Sequence, residues 1–341
     1  MAKKNIGLLF GGKSAEHEVS LMSARSVYQS ANKNKYNIYP IAVDRDGNWL
    51  GREESEIIIE DDNIDQVPPS NSKIIKKGLK NFLDNNYDVI FPLIHGPYGE
   101  DGKIQGFFEL LEIPYVGANV LGSSLGMDKG IMKKLFDYNG LKQAEFITIK
   151  NHENNKMLKL NEFVDSYGLP IFIKPANLGS SIGISKVSKK VKLKEAANKA
   201  FEYDKKIIVE KALQTREIEC SVLGKNKFKA SLPGEIIPSH DFYDYSSKYE
   251  DQKTKLIIPV NLDDDIIKEI QRMAIRAFEI IEGEGLARVD FFFCNDNIYI
   301  NEINTIPGFT KYSMYPKLWE ATGLTYSNLI DKLINIALDE T

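Results

Sequence analysis

Apolar and polar positions along the chain follow two periods. Runs of branched and aromatic residues at Asn5–Phe10, Tyr36–Val43, Val89–Leu93, Leu169–Pro175 and Lys206–Glu210 predict buried strands. Stripes at helical spacing predict helices: Leu21, Ala24, Tyr28 and Ala31 on the first, and Leu193, Ala197, Ala200 and Phe201 on another. Ile266, Ile270, Met273, Ala277 and Ile280 mark a third, closed by Gly283, and Leu329, Leu333 and Ala337 a last one. Shorter helices are expected around Phe107 and Leu110, from Asp128-Lys129 through Phe136, and near Leu160 to Tyr167. The stretch between Gly51 and Ser72 is acidic and punctuated by proline, which predicts a surface loop.

One pair of strands breaks the apolar rule. Leu286 to Phe293 and Ile298 to Asn304 are rich in branched and aromatic residues, and Asn295-Asp296-Asn297 between them is turn chemistry, so a β-hairpin is expected. With a three-residue loop holding one Asn in the left-handed region, Asp290 faces Glu302 and Arg288 faces Asn304 on one side of the sheet. A two-residue turn breaks that pairing. Two acids and an amide, with no Cys or His among them, form a hard oxygen set suited to Mg²⁺ beside phosphate oxygens. The same residues also read as a solvated face with a salt bridge from Arg288 to Asp290 or Glu302.

Composition acts mainly by exclusion. The 341 residues suffice for two or three α/β domains, and 43% hydrophobic with 27% charged content is that of a globular protein. A net charge of −4 speaks against a nucleic-acid surface. No apolar run reaches membrane-spanning length, and Met1-Ala2-Lys3-Lys4 leads into the first strand without a signal-type apolar core. A cytoplasmic protein with neither membrane nor nucleic-acid partners is therefore expected. Cys220 and Cys294 sit in apolar, strand-like settings without CxxC spacing, which predicts reduced thiols and disfavours zinc.

Glycine-rich corners follow several of the strands. Gly11-Gly12-Lys13-Ser14-Ala15-Glu16 leads into a helix, so backbone amides can approach a ligand there. It is not the GxGxxG fingerprint, and no acid is expected at the end of the second strand, which disfavours a dinucleotide site. Glu16 and Glu18 also read as first-turn acids complementing the helix dipole. His95, among Gly96, Pro97, Gly99 and Gly102, stands at the carboxyl end of a parallel strand, where open α/β sheets bind ligands, and the flanking turn and acids favour a site role; capping of the next helix is the alternative for Glu100 and Asp101. Lys174 ends another strand, and Gly179-Ser180-Ser181 after it can wrap phosphate with amides, although it lacks Walker order. Glu210 with the apolar pair ending at Leu213 offers an adenine edge, and Glu217 an acceptor for ribose hydroxyls; satisfied surface charges read the same. The tyrosine-dotted segment 238–259 reads as a lid.

Together, GGKSAEHEVS, HGPYGEDG, MDK, KPANLGSSIGISK, YDYSSKY, ARVD and NEINTIPGFT resemble the D-alanine–D-alanine ligase family of the ATP-grasp superfamily, in the family's order over nearly the whole chain. The resemblance implies an N-terminal parallel-sheet α/β domain (1–126) and a two-part ATP-grasp body (127–213 and 214–341, with the lid at 238–259). It implies ATP-dependent joining of two D-alanines through an acyl phosphate, for peptidoglycan precursors, by a homodimer using two Mg²⁺ ions for which Mn²⁺ can substitute. Lys129 and Lys174, with Ser181, would contact ATP phosphates, Glu210 and Leu213 the adenine, and Glu217 the ribose. Asp290, Glu302 and Asn304 would hold the metal. Glu16 would hold the ammonium of the first D-alanine with His95 nearby, and Arg288 with the Gly308 amide would form the oxyanion site. Ser313 and Lys248 would face the carboxylate of the second D-alanine, next to Met314 where leucine is common, and Glu16, Ser180 and Tyr249 match a triad joining the first domain to the lid. Alternatives are D-lactate or D-serine as second substrate, a non-catalytic ATP-binding module, or another ATP-grasp ligase.

Overall fold

Strands of the protein, a computed structural model describing residues 2–69, 72–237 and 254–340, form three sheets. The first is parallel, with β1 (Lys4–Gly11) between β2 (Tyr36–Val43) and β3 (Val89–Pro92). All but the first two residues of β1 are buried, because α1 (His17–Ser30) covers one of its faces. The expected surface loop after Gly51 is instead a helix, α2 (Arg52–Glu60), with Ser55, Ile58 and Ile59 buried on one side. Apolar spacing there outweighs acidic composition. A further helix, α3 (Ser72–Asp84), leads to β3, and α4 (Lys103–Leu110) and α5 (Val120–Met127) follow it.

The other two sheets are antiparallel. After α6 (Lys129–Tyr138), β4 (Phe146–Lys150), α7 (Lys156–Tyr167), β5 (Ile171–Pro175), β6 (Ser185–Val187), α8 (Leu193–Phe201) and β7 (Lys206–Lys211) build a four-stranded sheet of order β4-β7-β5-β6. The six-stranded sheet is centred on β8 (Arg216–Gly224), with β9 (Phe228–Ala230), β10 (Gly234–Ile237) and β11 (Lys255–Ile257) to one side and β12 (Gly285–Cys294) and β13 (Asn297–Asn304) to the other. Strand alternation divides β8: Ile218, Cys220 and Val222 join the core with Ile270, Ala274 and Phe278 of α9 (Asp264–Ile280), while Glu217 and Glu219 take the opposite face.

The hairpin β12–β13 keeps the expected pairing by an unexpected route. Its turn holds only Asn295 and Asp296, both left-handed at φ 49° and 58°, and Cys294 pairs directly with Asn297. Continued regularly, that register would set Asp290 against Asn301. A β-bulge intervenes: Phe291 pairs with Ile300, but Asp290 pairs with Glu302 and Arg288 with Asn304. After α10 (Met314–Ala321), α11 (Tyr326–Ala337) lays Leu329, Ile330, Leu333 and Ile334 into the cluster that contains Ile6, Leu8 and Phe10, so the last helix completes the core of the first sheet. Among the described residues no helix is long and apolar enough to cross a membrane.

Candidate active site

Faces of the two antiparallel sheets enclose a cleft of ≈ 820 Å³. On one wall, three carboxylates stand in register on adjacent strands: Glu219 of β8, Asp290 of β12 and Glu302 of β13. Arg288 forks onto Asp290, with Nε donating to Oδ1 and Nη2 to Oδ2, both at 2.7 Å, and Nε lies 2.9 Å from Glu219 Oε2. Asn304 Nδ2 donates to Asp290 Oδ2 at 2.9 Å, and Lys129 Nζ lies 3.1 Å from Glu302 Oε2. The salt bridge of the alternative reading thus exists, but the face is not solvated: the Arg288 and Asp290 side chains are 17% and 13% exposed.

Hard oxygen donors dominate this wall. Among the described residues no three of His, Cys, Asp and Glu form a metal-holding group by themselves. Two carboxylates and an amide oxygen, with the remaining positions left to phosphate and water, are nevertheless how Mg²⁺ is held at phosphoryl sites, and the residues fit such an ion. Cys220 does not compete, because it is buried on the far face of β8, where burial pushes its thiol up to about 12, and Cys294 stands at the hairpin turn four residues from Asp290.

The opposite wall is basic. Asp128 caps α6 by accepting from Gly130 N and Ile131 N at 3.1 Å, and Lys129 and Lys133 follow one turn apart. Lys129 Nζ also donates to Leu178 O at 3.1 Å. Lys133 Nζ lies 2.7 Å from Glu210 Oε1, and Lys174 pairs with the other oxygen. Burial alone would push the Glu210 carboxyl up, but Lys133 and Lys174 outweigh it and hold it down at about 2. With its carboxylate spent in this way, any adenine contact at Glu210 falls to its backbone. Leu213, Glu217, Ser180 and Ser181 line the rest of the cleft.

A second cluster lies where the first sheet meets the segment after β13. His95 is buried with Nδ1 2.9 Å from Ile306 O and 3.7 Å from Glu100 Oε1, and its Nε2 has no protein partner. Burial pushes the imidazole down, yet Glu100 and Glu16 outweigh it and raise its pKa; burial likewise raises that of Glu100. Glu100 therefore serves His95 and the Gly96 N–H rather than capping α4. Glu16 makes no side-chain cap bond to α1; a Cβ on Gly96 or Gly179 would lie 3.7 or 3.6 Å from its Oε2, so it stands between that turn and the glycine-serine loop. Glu18 pairs with Arg45 instead. The turn itself is tight: a Cβ on Gly99 would fall 1.8 Å from Ile94 O. Gly99→Ala should cost about 3 kcal/mol, read as a lowered urea midpoint; an unchanged midpoint would show that the turn yields freely.

The family is decided by comparison. A family model described as D-ala D-ala ligase N-terminus matches residues 5–118, and one described as D-ala D-ala ligase C-terminus matches 135–335. A D-alanine–D-alanine ligase of Halothermothrix orenii is 52% identical over 343 residues, spanning 100% of both chains. The chain belongs to the D-alanine–D-alanine ligase family. A second ligase of that name, from a Thermoanaerobacter species, is 45% identical over 99% of this chain and 98% of its own. Among solved structures, the D-alanine–D-alanine ligase of Coxiella burnetii superposes with a TM-score of 0.85 at 35% identity, covering 99% of this chain and 95% of its own. The VanG D-Ala:D-Ser ligase of Enterococcus faecalis does so with 0.84 at 36%, covering 98% and 100%.

Within this ligase fold, Gly308 and Ser313 are neighbours, a Cβ on Gly308 lying 3.3 Å from Ser313 Oγ, and Ser313 Oγ accepts from Thr310 N at 3.1 Å. Met314 is not at the cleft wall; it is buried against Ile236 and Leu318 beneath β10. Lys248 and Tyr249 lie outside the described residues, and of the expected lid the described end includes strand β11, paired with β10. Asp44 does follow the second strand, contrary to expectation, and its Oδ1 accepts from the N–H groups of Asp46 and Asn48. Lys133 and Glu219 went unread in the sequence. Their signals were the four-residue step from Lys129 and the two-residue step from Glu217.

Proposed function

We infer that this ligase joins two D-alanines to D-alanyl-D-alanine for peptidoglycan precursors, driven by ATP, which leaves as ADP and phosphate. Full-length identity of 52% to a D-alanine–D-alanine ligase carries the reading, supported by a cleft with acids on one wall and lysines on the other. A carboxylate oxygen of the first D-alanine attacks the γ-phosphorus, ADP departs, and the amine of the second displaces phosphate from the acyl phosphate. Lys129 and Lys174 neutralise phosphate charge, Ser181 and the loop amides wrap it, and the backbone around Glu210 and Leu213, with Glu217, receives adenosine. Glu16, beside His95, holds the first ammonium. Arg288 and the Gly308 N–H donate to the tetrahedral oxyanion, each worth roughly 3 kcal/mol in comparable sites. Ser313 and Lys248 face the second carboxylate, and Glu16, Ser180 and Tyr249 tie the first domain to the lid, which with the glycine-serine loop excludes water. Bound among Asp290, Glu302 and Asn304, Mg²⁺, with Mn²⁺ as substitute, supplies charge neutralisation for phosphoryl transfer. The proposed divisions are 1–126, 127–213 and 214–341, in a cytoplasmic homodimer.

D-Alanine is proposed as second substrate from the YDYSSKY wording, although a D-Ala:D-Ser ligase is comparably similar in structure. Phosphate release should require both ATP and D-alanine, and D-serine or D-lactate offered in competition should yield the minor product. ATP turnover indifferent to every D-amino acid would reject ligation; a dominant D-serine or D-lactate product would reassign the second site.

A further inference from the structure

We propose that Asp204, in the turn between α8 and β7, is a positioning residue that anchors the 176–184 loop over the ATP phosphates; this rests on the ligase reading above. Asp204 Oδ2 accepts from both the backbone N–H and the side-chain amide of Asn177, each at 2.8 Å, and Oδ1 accepts from Lys206 N at 3.2 Å. One carboxylate therefore ties the start of the loop to the start of β7. Adjacent bonds extend the tie: Ala176 N donates to Lys206 O and Lys129 N to Ala176 O, both at 3.0 Å. Lys206 also pairs with Asp128, the residue that caps the helix bearing Lys129. The same short turn thus holds both the loop and a phosphate-side lysine.

The far end of the loop meets that turn as well. Gly183, at φ 73°, sits against Pro175 and Tyr203, where an added Cβ would lie 2.8 Å from an atom of each. Between these two grips the loop's own backbone bonds are long, Ile182 N to Gly179 O at 3.3 Å and Ile184 N to Ser181 O at 3.4 Å. Its position over the cleft depends on its ends. Neither Asn177 nor Asp204 lines the cleft, so both act through the loop. A closing loop protects the acyl phosphate only if its base is fixed. With a loose base, water attacks the acyl phosphate, inorganic phosphate leaves, and free D-alanine is regenerated without an amide bond, so ATP is consumed without product.

The test compares the full-length enzyme with Asp204→Ala and Asn177→Ala, using ATP, Mg²⁺ and D-alanine. Asp204→Ala should raise KM for ATP by about tenfold, as expected for losing hydrogen bonds to a charged acceptor. It should leave KM for D-alanine unchanged and release more than one phosphate per dipeptide. Asn177→Ala, which deletes one of the two bonds and spares the turn, should move both readouts the same way by about threefold. Asp204→Asn, keeping an acceptor oxygen, should restore most of the coupling. Normal ATP KM and one-to-one coupling in both alanine variants would overturn the proposal. So would an Asp204→Ala variant that fails to fold beside an Asn177→Ala variant with normal kinetics, since Asp204 would then serve the fold alone. An unaltered enzyme that forms no dipeptide refutes the ligase reading and this inference with it.

Discussion

Glu302→Gln is expected to slow dipeptide formation by about a thousandfold, some 4 kcal/mol of transition-state stabilisation, while the protein still folds. Glu302 stands on the bulged strand opposite Asp290, beside Lys129 and within electrostatic reach of Lys133 and Lys174, and it lines the cleft. Glutamine preserves its shape and removes only the charge. Because the Lys129 pair is only 11% and 21% exposed, its loss should cost up to about 3 kcal/mol without unfolding the protein. Steady-state kinetics beside a urea melt separate the two effects. Near-normal turnover in the variant would contradict the metal assignment; a large stability loss would show that Glu302 holds the fold instead.

Glu210→Gln should do the reverse and strike folding first. Lys133 and Lys174 flank this carboxylate, and neutralising it leaves the fully buried Lys133 ammonium without its counter-charge and weakens the hold on Lys174 at the cleft edge. Breaking a buried pair in this way costs about 3–5 kcal/mol. The pH dependence has a definite sign. Because the folded carboxyl titrates at about 2, below its ordinary 4.5, its stabilisation is complete above about pH 4.5 and fades as the pH falls towards 2. The variant should lack that part of the acid slope. A melt at neutral pH within 1 kcal/mol of the unaltered protein would mean that the lysines find other partners.

Periodicity made most helices and the charged hairpin legible, since an apolar stripe or an alternating run survives in one dimension. Long-range geometry did not. The pairing of Asp290 with Glu302 was read with the wrong turn, because a one-residue bulge at Asn301 leaves no trace in composition and here compensates a shorter loop. Acidic residues concealed α2, whose Ile58 and Ile59 are buried by contact with neighbours rather than by any excess of apolar residues. At the site, the acids of β12 and β13 stood out because they interrupt apolar strands. Lys133 looked like any helix-surface lysine, and only the fold turns it inward onto Glu210.

Crystals of the unaltered protein grown with ADP and Mg²⁺ test most directly whether the hairpin acids meet the nucleotide's phosphates through a metal. Magnesium should join an ADP phosphate to oxygens of Asp290, Glu302 and Asn304 at about 2.1 Å, with Arg288 released from its fork on Asp290. Ordered ADP in the cleft with no metal at these three side chains, and Arg288 still paired to Asp290, would contradict that arrangement.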